Sequence, residues 1–197
     1  MKALNAEGVR LLVMFGCQMK QIQTLQHLKS TCSEADYARL INEVDTANKT
    51  TPSVFGDNAL MCCLMAGKNH ETTARFLINT GAELTQMNST GVNVLSLACH
   101  SSFQITAHIV ERLEAVCDNC NTLAAQLSSN DGQHTALGYA FLSQDMKVVD
   151  VILAAISFVA RKGHQMKLHE EDLNCGCGLQ FNMLLLRHRC DYLGHVW

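Results

Sequence analysis

Gly56-Asp57-Asn58-Ala59-Leu60-Met61-Cys62-Cys63-Leu64-Met65-Ala66 carries the pattern on which the fold turns. A turn-forming glycine leads into a short polar step, then into a leucine within a run of small and apolar residues. The pattern returns at Gly91-Val92-Asn93-Val94-Leu95-Ser96-Leu97-Ala98-Cys99 and at Asp131-Gly132-Gln133-His134-Thr135-Ala136-Leu137-Gly138-Tyr139-Ala140-Phe141. The shared leucines Leu60, Leu95 and Leu137 are 35 and 42 residues apart. Recurrence on this scale signals a stack of small structural units.

A second apolar-periodic run follows each of these. The three are Thr73-Ala74-Arg75-Phe76-Leu77-Ile78, Ile105 to Leu113 (with Ile109 between them at spacings of four), and Met146 to Leu153. Each predicts a short amphipathic helix that cannot bury its apolar stripe alone. The unit is therefore a turn, a short helix, a tight connection and a second helix. Upstream, Gly8 to Phe15 reads as a first helix and Ile22, Leu25 and Leu28 as the stripe of a second, a degenerate early repeat. Ser33 is placed to cap a helix running to Ile41, with Asp36 three residues on. Asp45 to Ser53 is polar and reads as a loop. Beyond Arg161, Gly163 and an apolar run from Leu179 to Leu186 predict a helical cap of the kind repeat arrays use to shield their last face.

These residues resemble the ankyrin repeat, a unit of about 33 residues with the signature T-P-L-H-x-A. Thr135-Ala136-Leu137-Gly138-Tyr139-Ala140 matches at Thr, Leu and Ala, and Gln144 to Leu153 looks like the family's second-helix opening. Ile78-Asn79-Thr80-Gly81-Ala82-Glu83-Leu84 is similar to its closing segment, with Gly81 in the left-handed position just past a helix. The chain departs from the motif at its Pro (Ala59, Val94, Ala136) and its His (Met61, Ser96, Gly138). Insertions are expected at Lys68-Asn69-His70 and between Val116 and Ser129. The resemblance implies an all-α, ankyrin-type helix-turn-helix repeat solenoid with helical caps. On this reading residues 1–197 form one domain, with a helical cap or degenerate repeat over 1–53, core repeats over 54–156 and a helical cap over 157–197.

Composition supports helices packed against helices. Hydrophobic residues make up 48% of the chain and charged ones 17%, below the charged share usual for soluble domains. Good helix formers abound, and Pro52 is the single proline. The net charge of −3 comes without a basic block, which argues against nucleic acid as the main partner. No apolar run reaches the roughly 18 residues of a membrane span, and Met1-Lys2-Ala3-Leu4-Asn5 lacks the form of a signal peptide. The expectation is a cytoplasmic or otherwise intracellular protein, with export by a route that needs no signal left open. The Asn48 and Asn88 sequons then read as chance matches.

No cofactor and no metal are expected, and no catalytic residues stand out. Cys62, Cys63 and Cys99 fall within apolar helical patterns, where a reduced thiol acts as a small core residue. Cys117 and Cys120 have ligand spacing, and Cys175, Cys177 and Cys190 with His164 and His169 could add ligands for zinc. This supplies the alternative reading, a metal-stabilised or enzymatic domain. Cys99 and His100 are adjacent, so on a helix their side chains diverge by about 100° and cannot relay a proton.

The resemblance implies a protein-protein interaction module that holds another protein on a concave face of turn tips and first helices. Register places Met87, Asn88, Ser89 and Val92 at one turn, and Asn130, Asp131 and Gln133 at the next. Met65, His100, Ser101 and Ser143 are expected as exposed first-helix ends. A scaffold, or a bacterial effector delivered into a host cell, is a setting that the resemblance allows.

Overall fold

The computed structural model describes residues 5–16, 18–44, 56–116, 118 and 120–166. Every regular element among them is helical, as composition and periodicity predict. The chain divides between Thr90 and Gly91 into two compact units. The loop expected at Asp45–Ser53, the run Leu179–Leu186, Cys117 and the C-terminal cysteines lie outside the described residues.

In the first unit, α1 (Ala6–Phe15), α2 (Gln18–Thr31), α3 (Glu34–Asn42), α4 (Ala59–Met65) and α5 (Glu71–Asn79) follow in order, with a 3-10 turn at Lys68–His70. Two helix pairs, α1–α2 and α4–α5, lie side by side. First helix packs on first helix, α1 on α4, and second on second, α2 on α5. The second unit holds α6 (Val94–Ser101), α7 (Phe103–Glu114), α8 (Asn121–Ser128), α9 (Ala136–Leu142) and α10 (Met146–Arg161). It repeats the arrangement: α6 packs on α9, and α7 on α10. Leu60, Leu95 and Leu137 are all fully buried in their units. Each apolar stripe is thus completed by the neighbouring pair.

The first helices share one local device. Asn5, Asn58, Asn93 and Thr135 precede α1, α4, α6 and α9 with φ of −91°, −91°, −102° and −88° and ψ of 175°, −179°, 170° and −179°. Each side chain accepts an amide N–H of the first turn, from Gly8, Met61, Ser96 and Leu137 respectively. Such a cap contributes about 1 kcal/mol by satisfying an otherwise orphaned donor. At the other end of a pair, Gly81 takes φ 101°, Ala82 N–H donates to Leu77 O at 3.0 Å and Gly81 N–H to Ile78 O at 3.4 Å. This closes α5 in the left-handed manner expected of Gly81.

Both expected insertions contain helical turns among their described residues. Lys68–His70 forms the 3-10 turn, and the segment between Val116 and Ser129 contains α8. α3 likewise stands between pairs and is tied to the end of α5. Tyr37 Oη lies 3.0 Å from Thr80 Oγ1, Asn42 Nδ2 donates to Gly81 O at 3.0 Å, and Glu83 N–H donates to Asn42 Oδ1 at 2.7 Å. α8 is tied by Asn93, whose Nδ2 donates to Gln126 O at 2.8 Å.

Candidate functional site

The turns that lead into the first helices are built by close backbone approach. In the first unit Gly56 has φ 95°, and a Cβ there would lie 3.1 Å from both Asn88 Cα and Ser89 N. In the second, Gly91 has φ 83°, and its Cβ would lie 3.1 Å from Asp131 Cα. Only glycine combines this φ with this approach. One turn therefore seats on the next in the same register within each unit.

Short polar side chains set the shape of these turns. Asn88 Oδ1 accepts Thr90 N–H at 3.1 Å and the Thr90 hydroxyl at 2.8 Å, while its Nδ2 donates to the buried Asp57 carboxylate at 3.1 Å. Asn130 Oδ1 accepts Gly132 N–H at 2.6 Å. Asp131 Oδ1 accepts the Gln133 and His134 amides at 2.9 and 2.8 Å, and its Oδ2 accepts the Tyr139 hydroxyl at 2.5 Å. Partial burial of Asp131 opposes its charge, but the Tyr139 hydroxyl and the two amides outweigh it and hold the carboxyl below its ordinary value. Tyr139 moves the other way, raised by burial and by its bond to Asp131.

The expected contact residues consequently separate. Met87, Ser89 and Gln133 are exposed at the turn tips, and Val92, Asn130 and Asp131 are half-buried. Asn88 is buried, because its amide is spent on Asp57 and on the turn. Its sequon therefore sits on a side chain that solvent barely reaches. Met65 and His100 are exposed, but Ser101, expected at an exposed helix end, is buried at 5% exposure. Ser143 is half-buried, its hydroxyl donating to Ala140 O at 2.7 Å and accepting Asp145 N–H at 3.2 Å. Met65, and in the second unit His100, Ser101 and Ser143, lie at the far ends of α4, α6 and α9 from the turns, about 10 Å along each helix. In each unit the predicted set is two surfaces, one at each end of the first helices.

Among the described residues, no three His, Cys, Asp or Glu side chains group as a metal site. Burial, with Cys62 adjacent, pushes the Cys63 thiol up to about 12, and burial raises Cys99 as well. Cys99 is buried while His100 is exposed, so the two diverge as adjacency on a helix requires. No helix among the described residues is long and apolar enough to cross a membrane.

Sequence reasoning gave no weight to Phe15 and Met19, the most exposed large apolar side chains described, at 66% and 69%. Nothing in the sequence marks these two as exposed, although from Gly8 to Ser33 the chain contains no Asp or Glu. No protein-family model matches the chain, and no curated protein matches it.

Proposed function

We propose that this chain is a protein-binding module of the ankyrin type, without a catalytic site, that holds a partner protein on the turns leading into its first helices. The observation that carries the reading is the recurrence of one turn: Gly56 seated on Asn88 and Ser89, Gly91 seated on Asn130 and Asp131, each followed by a side-chain N-cap. Turns fixed by so many internal hydrogen bonds lose little freedom when a partner docks, which lowers the entropic cost of binding. Met87 and Ser89 supply contact in the first unit and Gln133 in the second. Asn88, Asn130 and Asp131 hold the backbone that presents them. An exposed methionine adapts its shape to an apolar partner surface.

The test is a pull-down from a eukaryotic lysate with the intact chain and with Met87→Asp and Gln133→Arg. The reading expects proteins held by the intact chain to be lost from at least one variant. Retention of every partner by both removes the turns from the account. Metal analysis with a chelator melt addresses the rival: stoichiometric zinc whose removal lowers the melting temperature favours a Cys/His-based domain.

A further inference from the structure

We infer that the outer face of α2, with Phe15 beside its start, is a second docking surface, and that it takes an acidic peptide segment with an apolar anchor. Three features meet there, and the first two are unfavourable to the fold by themselves. Phe15 and Met19, four residues apart, leave two large apolar side chains in water. Lys20 stands in the first turn of α2, which contains no acidic residue. A cation there opposes the helix dipole, where glutamate is the stabilising choice. The exposed positions of α2 add Gln23, His27 and Lys29, and the stretch from Gly8 to Ser33 lacks any carboxylate in a chain of net charge −3. Local rules broken together at one place mark a site kept for another purpose.

The surroundings do not neutralise this face. α2 packs its other side on α1, α3 and α5, with Gln21 and Leu25 fully buried. Among the carboxylates of those helices, Asp36 is bonded to Ser33 and lies 3.7 Å from Arg39, and Glu71 is paired with Arg75 at 3.1 Å. Glu7 and Glu34 stand in the first turns of α1 and α3, the one at the end of α1 away from Phe15 and the other beyond the end of α2 away from Lys20. Lys20 and Lys29 form no ion pair among the described residues. Charge complementarity therefore calls for carboxylates in the occupant, and Phe15 and Met19 call for an apolar side chain next to them. A peptide is favoured over an anionic bilayer because an extended bilayer meets charge well beyond α2 in a chain of net charge −3, whereas a short peptide is screened from charges more than a Debye length away.

The experiment uses the full chain and two fluorescent peptides of equal length, one a repeat of two glutamates and two leucines, the other with glutamine for glutamate. Binding is read by anisotropy. The proposal expects the glutamate peptide to bind about tenfold or more tightly than its counterpart, with affinity falling as salt rises. Lys20→Glu weakens that binding about tenfold while raising the melting temperature by about 1–3 °C, since it repairs the dipole. Lys20→Gln and Met19→Ser weaken binding in a chain that melts normally, and Lys162→Glu, on the other unit, leaves it unchanged. Equal binding of the two peptides, no binding of either, or indifference to Lys20→Glu overturns the proposal. So does sedimentation with phosphatidylserine vesicles in the absence of peptide binding. None of these results bears on Met87 or Gln133, so the turn-face reading stands or falls separately.

Discussion

At Gln144, just past α9, the chain takes φ 57° with an exposed side chain. A residue with a Cβ in this left-handed conformation costs about 1–2 kcal/mol, of which glycine's greater unfolded freedom returns part. Gln144→Gly is therefore expected to stabilise the chain by about 0.5–1 kcal/mol, read as a higher urea midpoint, and a lower midpoint contradicts the strain. His70 gives a prediction in pH. Its Nδ1 lies 3.0 Å from Gln21 Nε2 and 3.2 Å from Gln21 Oε1, and burial lowers its pKa from the ordinary 6.5. The unfolded chain then takes up this proton at a higher pH than the folded one. Stability is full above the unfolded value and is lost as pH falls below about 6.5 and through the lower folded value. His70→Gln is expected to flatten that part of the stability curve between about pH 7 and pH 5. A curve with the same slope in the variant contradicts the assignment.

Between elements, Gln21 of α2 joins the end of α1 to α5. Its side chain is fully buried. Nε2 lies 3.1, 3.0 and 2.7 Å from the carbonyls of Leu12, Val13 and Gly16 at the C-terminal end of α1, where Leu12 O also accepts Gly16 N–H at 2.8 Å, and Oε1 accepts the Thr73 hydroxyl of α5 at 2.7 Å. Gln21→Leu removes these side-chain bonds and leaves the Thr73 hydroxyl without this acceptor, and is expected to cost about 2–3 kcal/mol in urea unfolding; a cost under about 0.5 kcal/mol would show that water replaces them instead. Nothing in the sequence distinguishes Gln21 from its neighbours Gln18, Gln23 and Gln26. Its role is set by the meeting of two helix ends and Thr73, which are remote in sequence. The helices themselves were legible, because Ile105, Ile109 and Leu113 or Ser33 with Asp36 obey local rules. α8 was not, since it lies in a stretch read as an insertion, and its N-cap Cys120 sits at φ 67° without a side-chain cap. Asn88 and Ser101 were misplaced for the same reason as Gln21: a polar residue at a turn or helix end faces water or its neighbour according to what packs there.

For the molecule as a whole, the all-helical class follows from composition and periodicity, and the repeated N-cap turn gives that class its internal order within each unit. The proposed surfaces were less legible. The turn tips follow from register, but the cationic face of α2 emerges only when exposure is set beside charge, since a lysine and a methionine are ordinary residues until both are seen in water on one helix. Both surfaces depend on one claim, that paired helices finish each other's core. Hydrogen exchange on the Leu137→Ala variant tests it most directly. Leu137 is 1% exposed on α9, which packs on α6 and α10, and its truncation costs about 2–4 kcal/mol. The account predicts that amides of α6, α7 and α10 lose protection by the same amount as those of α9. Loss confined to α9, with α6 as protected as in the parent chain, would contradict it.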